Sequence, residues 1–69
     1  MKQILRELRT EKSLTQADLA TQLGVSRQAV IALETDKHSP SLDLAYKISA
    51  VFDRPVEAIF ENPYRKSSS

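Results

Sequence analysis

The side chains that could do chemistry in this sequence are concentrated between positions 26 and 32. Arg27 can pair bidentately with guanine and Gln28 with adenine, while the methyl group of Ala32 can contact the methyl group of thymine. Ser26 precedes them, at a point where the N-terminus of a helix would offer free backbone N–H groups to phosphate oxygens. Together these residue types could read the base edges of double-stranded DNA, but Ser-Arg-Gln at a helix start, taken alone, is about as often only a cap and a solvated face.

Two short helices joined by a tight turn would position these side chains. Apolar residues at helical spacing predict one helix over 16–22 and another over 27–33. Gly24, the single glycine of the chain, lies between them, where a positive φ is easiest for a residue without a Cβ. Ala20 is small enough to let the two helices approach closely. The pattern therefore predicts a helix-turn-helix.

Both helices of this unit begin at a residue that can cap them. Thr15 can accept a hydrogen bond at the start of the first helix, with Asp18 in the capping-box position, and Ser26 can do the same for the second. Val30 and Leu33 form the inward pair of the second helix. Packing through that pair turns the base-reading side chains toward solvent.

The rest of the sequence also has helical periodicity. We predict a first helix over 2–12, a fourth helix capped by Ser41 and continuing through Phe52, and a short last helix with Pro55 in its first turn. The polar stretch 35–40 is predicted to be a loop. The apolar residues that these three helices should bury are Ile4, Leu5, Leu8, Leu42, Ala45, Ile48, Phe52, Val56, Ile59 and Phe60.

Length and composition limit what else the chain could be. With 69 residues, 41% of them hydrophobic, it fits one compact all-α domain, which we place at residues 1–62, with a C-terminal tail at 63–69. Ten basic residues stand against nine acidic ones, so any affinity for DNA must come from where the charges lie. The sequence has no cysteine, so no disulfide or thiolate metal site can stabilise the fold. It has no apolar run of membrane length and no signal peptide, so we expect a cytoplasmic, nucleoid-associated protein.

No group of residues has the spacing of a catalytic or metal site. His38 is a lone histidine in a polar loop without a second ligand at metal spacing. Glu7 and Glu11 are better placed for a solvated helix face than for acid–base chemistry. We therefore expect no enzyme, no metal, no cofactor and no small-molecule ligand.

Several motifs in register resemble one family. They are TQADLA at 15–20, LGVSRQAV at 23–30, LE at 33–34, PSL at 40–42, LAYKI at 44–48 and IF at 59–60. This set is similar to the Xre/Cro, or lambda-repressor-like, helix-turn-helix family, and the similarity runs over nearly the whole chain. The resemblance implies a compact five-helix DNA-binding domain with the helix-turn-helix as its second and third helices. It further implies sequence-specific binding of a DNA operator and regulation of transcription, with repression as the commoner mode.

The resemblance also implies roles for individual residues. Those at base-reading positions are Arg27, Gln28 and Ala32, and those at phosphate-binding positions are Gln16, Ser26, Thr35 and Lys37. Gln16 would in addition brace the recognition helix. Arg9 and Glu34 match a pair that joins the first helix to the end of the third and serves stability. Many relatives have Asn-Gly where this chain has Thr35-Asp36, which places a carboxylate in the phosphate-binding loop.

Three questions stay open at the level of sequence. Ile31 could lie partly exposed near the DNA or pack under the loop that follows it. Ile59, Phe60 and Tyr64 fall where small relatives form a two-fold interface, so we expect a homodimer, although Phe60 could instead close the core of a single chain. The alternative function is an antitoxin-type interaction module that neutralises a partner protein and binds DNA secondarily.

Overall fold

Five helices make up the part of the chain that the computed structural model describes, which is residues 3–62 and Tyr64. They are α1 (Leu5–Glu11), α2 (Gln16–Leu23), α3 (Arg27–Glu34), α4 (Leu42–Phe52) and α5 (Val56–Ile59). The predicted all-α fold with the helix-turn-helix as α2 and α3 is therefore confirmed. The predicted tail at 63–69 lies outside the described residues, apart from Tyr64.

The predicted helix caps are confirmed. The Thr15 hydroxyl oxygen accepts a hydrogen bond from the backbone N–H of Asp18 at 3.0 Å, and the Asp18 carboxylate accepts one from the Thr15 N–H at 2.9 Å. The backbone N–H of Thr15, and to a smaller extent its side chain, hold the pKa of Asp18 below its ordinary value. Ser26 and Ser41 cap α3 and α4 in the same way, each accepting from a backbone N–H at 3.1 Å.

Four helices end at a residue in the left-handed conformation. These residues are Ser13, Gly24, Asp36 and Asp53, with φ values of 57°, 72°, 59° and 52°. After each of them the next N–H bonds back to a carbonyl of the helix, as from Val25 to Ala20 at 3.0 Å. This is the hydrogen bond of the Schellman motif, which satisfies carbonyls at a helix end. The prediction of a positive φ at Gly24 is confirmed. Positive φ is also found at three described residues that have a side chain, Ser13, Asp36 and Asp53.

The core lies where α1, α2, α3, α4 and α5 converge. Its largest fully enclosed side chains are Leu5, Leu19, Leu23, Val30, Ile48 and Ile59. Leu14, Val25, Leu44, Val51 and Val56 pack around this cluster from partly exposed positions. The helix-turn-helix is thus built on the same core that joins the terminal helices, so α3 is held from behind by the whole domain.

The predicted start of the first helix was wrong. The helix begins at Leu5 because the residues before it pair with the C-terminal segment instead of coiling. An isolated antiparallel bridge joins Gln3 to Phe60, and the Ile4 N–H donates to the Ile59 carbonyl at 3.1 Å. Phe60 accordingly lies beyond α5 in extended conformation, not inside the last helix as predicted.

Two predicted core residues are exposed. Ile4 is 42% exposed because it lies in the segment that precedes α1, and Leu42 is 68% exposed. Leu42 is the first residue of α4, and the inward stripe of that helix runs through Ala45, Ile48 and Phe52, with Leu44 at its edge. Leu42 lies to one side of this stripe and faces solvent.

Among the described residues, no helix is both long and apolar enough to cross a membrane.

Candidate nucleic-acid interface

The recognition helix α3 has one buried face and one outward face. Val30 and Leu33, which are 0% and 4% exposed, hold it against the core, and α2 is its main packing partner. Helical spacing then places positions 27, 28, 31 and 32 together on the opposite face. Arg27 and Gln28 are exposed there, and Ala32 is partly exposed. The structure thus places the three predicted base-reading side chains on one surface.

Arg27 and Gln28 are unpaired within the described part of the chain. None of the hydrogen bonds or ion pairs found there involves either side chain. Other polar groups near α3 are bonded: Ser26 caps the helix, and the Thr35 hydroxyl donates to the Ile31 carbonyl at 2.8 Å. The two longest polar side chains of the outer face are therefore free to bind a ligand.

Ile31 belongs to the same outer face. It is partly exposed and is not among the apolar residues packed on the core. Its neighbours one helical turn away on this face include Arg27 and Thr35. Of the two positions that the sequence allowed, the structure favours the one on the outward face. Ile31 is therefore a further apolar candidate for contact with a base, in addition to Ala32.

An open groove of about 1040 Å³ lies beside the recognition helix. It is bounded by α1, by the loop that follows α1, by the N-terminal part of α2 and by both ends of α3. The residues that line it are Arg6, Arg9, Thr10, Ser13, Leu14, Thr15, Gln16, Ala17, Arg27, Glu34 and Thr35. The groove thus brings together three of the predicted DNA-contacting residues, namely Gln16, Arg27 and Thr35. Ser26, Gln28, Ala32 and Lys37 do not line it.

The Arg9–Glu34 pair forms the floor of this groove and is confirmed as a bridge between α1 and α3. Arg9 donates through Nε to one Glu34 oxygen at 2.7 Å and through Nη2 to the other at 3.2 Å. Its Nη1 donates to the Leu14 carbonyl at 2.9 Å. The two side chains are only 14% and 5% exposed, so this is a bidentate, largely desolvated ion pair.

Two glutamines extend the network around Glu34. Gln16 donates from Nε2 to the Glu34 carboxylate at 3.1 Å, and Gln3 donates from Nε2 to the Glu34 backbone carbonyl at 3.0 Å. The first bond ties the N-terminus of α2 to the end of α3, as the bracing role of Gln16 requires. An amide nitrogen carries two hydrogens, so this bond leaves Gln16 a second donor.

The loop after α3 contains Asp36, where the family resemblance led us to expect glycine. This residue adopts a φ of 59°, a conformation that glycine adopts most readily. Its Oδ1 accepts a hydrogen bond from Gln3 Nε2 at 3.4 Å. Lys37 follows it with an exposed side chain. A fixed negative charge therefore lies beside the residues predicted to contact phosphate.

Two of the three residues predicted to form a dimer interface are buried within the single chain. Ile59 and Phe60 are 2% and 5% exposed within the single chain, so they cannot present their side chains to a second copy. Both belong to the core of the single chain, and Phe60 also pairs with Gln3; a dimer interface at these two residues stays a prediction, and this burial argues against it. Tyr64 is 92% exposed. Other large apolar side chains on the surface are Leu42 and Tyr46, one turn apart on α4.

Within residues 3–62 and at Tyr64, no group of three or more histidine, cysteine or acidic side chains is arranged to hold a metal ion.

This geometry defines a class of protein. A helix-turn-helix family model matches residues 5–59, a range that runs from the start of α1 to the end of α5. The chain therefore belongs to the Xre/lambda-repressor-like helix-turn-helix family, whose members are DNA-binding regulators and not enzymes.

Individual relatives of similar length are found in archaea and bacteria. An uncharacterized HTH-type transcriptional regulator of Methanocaldococcus jannaschii is 52% identical over 60 residues, which cover 87% of this chain and 91% of the relative. One from Methanothermobacter thermautotrophicus is 48% identical over 61 residues, covering 87% and 88%. The regulator YgzD of Bacillus subtilis is 40% identical over 60 residues, covering 87% and 91%. The similarity thus spans nearly the full length of this chain and of each relative.

Proposed function

We propose that this protein binds a specific double-stranded DNA operator as a homodimer, through residues 1–62, and represses transcription from a cytoplasmic, nucleoid-bound position. Helix α3 enters the major groove and reads bases through Arg27 and Gln28, with apolar contacts from Ala32 and Ile31. Gln16, Ser26, Thr35 and Lys37 contact the phosphate backbone and fix the register of the helix. Membership of a family of DNA-binding regulators supports the general part of this proposal.

The observation that carries the proposal is the pair of free side chains on α3. Arg27 and Gln28 are exposed and adjacent, and neither has a partner among the described residues, while the opposite face of the same helix is anchored at Val30 and Leu33. A rigid helix that holds two long hydrogen-bonding side chains away from the core suits recognition of base edges.

Homodimer formation is supported by surface composition. Leu42 and Tyr46 are 68% and 61% exposed on neighbouring turns of α4, and Tyr64 is 92% exposed. Burying such side chains against a second copy would remove apolar area from water in a chain whose own core is small. A two-fold dimer would present two copies of α3 to successive major grooves.

Selection of bound duplexes from a random DNA pool tests the proposal. We expect enrichment of an inverted repeat with half-site centres about 10 bp apart, since a two-fold dimer places its recognition helices one DNA turn apart. A single enriched half-site would retain sequence reading and contradict the homodimer. If no sequence were enriched even at low salt, where phosphate contacts are strongest, the antitoxin-type interaction module would replace this proposal.

Asp36→Asn is expected to strengthen DNA binding about two- to five-fold on specific and nonspecific duplexes alike, because it removes one negative charge near the phosphates. Asparagine tolerates the left-handed conformation of this position and can still accept the hydrogen bond from Gln3. Filter binding or fluorescence anisotropy at several salt concentrations measures the change, which should shrink as salt rises.

The chain offers a matched control for this change. Asp53 has the same left-handed conformation, with a φ of 52°, but follows α4 and is not part of the loop after α3. Asp53→Asn should leave DNA affinity unchanged. Equal effects of the two substitutions would mean that net charge alone acts and that the loop after α3 does not approach the phosphates.

A further inference from the structure

Arg6 is a cationic side chain in the groove beside the recognition helix. Neither the sequence motifs nor the proposed contacts give it a role. Arg6 lies in the first turn of α1 and lines this groove together with Gln16 and Arg27. Its side chain is exposed, and no ion pair within the described residues includes it. Arg6 is therefore a free guanidinium held at the wall of the groove opposite α3.

The charges of the groove do not cancel. Of the described residues, three arginines and a single carboxylate, Glu34, line it, and that carboxylate is bound by Arg9. Within the same part of the chain Arg6 and Arg27 have no ion-pair partner, although the chain as a whole has a net charge of only +1. Glu7 and Glu11 do not line this groove; they line a separate one that shares Arg6 and Thr10 with it. The groove beside α3 thus has a local excess of positive charge in a nearly neutral protein.

The position of Arg27 connects this groove to the DNA surface. Arg27 belongs both to the outer face of α3 and to the lining of the groove. A duplex whose bases are read by α3 must consequently pass over the mouth of the groove and bring its backbone toward α1. The group that DNA offers there is a phosphodiester, which a planar guanidinium can bind through two parallel hydrogen bonds.

We propose that Arg6 binds a backbone phosphate next to the bases read by α3, which makes α1 a third DNA-contacting element. This inference rests on the proposed function. Arg6 adds affinity for any DNA sequence, whereas Arg27 adds preference for particular bases. Gln16, whose amide is bonded to Glu34, contributes a neutral donor in the same groove.

Binding measurements on Arg6→Ala, with the selected operator and an unrelated duplex over a range of salt, test this inference. We expect both affinities to fall by the same factor, about three- to ten-fold, and the slope of log affinity against log salt to decrease in magnitude by about 0.9, the value for one lost phosphate contact. Arg6→Lys should keep the slope, because it keeps the charge. Arg54→Ala, which removes an exposed arginine outside the groove, should change neither quantity.

Single methylphosphonate substitutions in the operator locate the contact. In the wild-type protein, neutralising one particular phosphate should weaken binding, and in Arg6→Ala that same substitution should have no further effect. Unchanged affinity and slope in Arg6→Ala, with a wild-type protein that selects an operator, would overturn the role of Arg6 and leave the proposed function intact. If Arg6→Ala changed the ratio of the affinities for the operator and the unrelated duplex, Arg6 would be a base contact and not a phosphate contact. A wild-type protein that selects no operator would overturn the proposed function itself.

Discussion

Glu34→Leu and Arg9→Met are each expected to lower the free energy of unfolding by about 3–5 kcal/mol, because each leaves the other charge largely buried without its partner. The two side chains are 5% and 14% exposed and are joined by two hydrogen bonds at 2.7 and 3.2 Å. A domain of 69 residues has a total stability of roughly 3–10 kcal/mol, so either substitution brings it close to unfolding. Urea denaturation followed by circular dichroism measures the change.

The double variant separates loss of the ion pair from loss of packing. Arg9→Met with Glu34→Leu removes both charges and fills the space with apolar atoms, so it should be more stable than either single variant. Lys47→Ala is the control, since Lys47 and Asp43 form an exposed pair at 3.5 Å whose loss should cost less than about 0.5 kcal/mol. A cost of Arg9→Met no larger than that of Lys47→Ala would contradict the structural role of the bridge.

This bridge bears on DNA binding as well as on stability. Glu34 is the last residue of α3, and its carboxylate is held by α1 through Arg9 and by α2 through Gln16. Gln3 holds the backbone carbonyl of the same residue. Three segments of the chain therefore fix the C-terminal end of the recognition helix, while Val30 and Leu33 fix its buried face. Such support keeps the outward side chains in a fixed orientation before DNA arrives.

Local chemistry is sufficient to predict the starts of α2, α3 and α4 from the sequence. A threonine or serine hydroxyl accepts from the N–H three residues later, so Thr15, Ser26 and Ser41 could be assigned without knowledge of the tertiary structure. Helix ends were harder to assign. Gly24 was identifiable because glycine favours a positive φ, but Ser13, Asp36 and Asp53 adopt the same conformation with a side chain present. There the Schellman hydrogen bonds from the N–H groups of Leu14, Lys37 and Arg54 offset the local steric cost.

Contacts between the two ends of the chain could not be predicted from periodicity. Gln3 and Phe60 form an antiparallel bridge in the fold, and no local sequence pattern predicts such a bridge. Missing it led to a first helix begun too early and to a last helix extended through Phe60. The outer face of α3 was predicted better because it follows from the inward pair of one helix, Val30 and Leu33.

Arg27→Ala is expected to weaken binding to the selected operator by about 1–3 kcal/mol, roughly five- to 150-fold, and to relax preference at one base pair. Arg27 is exposed on the outward face of α3 and is unpaired within the described residues, so its removal disturbs no internal contact. Affinity for an unrelated duplex should fall much less. Competition binding against operators altered at each position in turn measures both effects.

Arg27→Lys distinguishes base recognition from simple attraction to DNA. Lysine keeps the positive charge but lacks the planar pair of donors that match the edge of guanine, so it should not restore the lost preference. Because Arg27 also lines the groove with Arg6, a phosphate contact is the competing role. In that case Arg27→Ala would weaken binding to operator and unrelated duplex equally, and Arg27→Lys would recover most of the affinity. If Arg27 reads a base, Arg27→Ala should weaken binding to the operator more than to the unrelated duplex, and Arg27→Lys should not recover the lost preference. The two substitutions together therefore decide whether Arg27 binds a base or a phosphate.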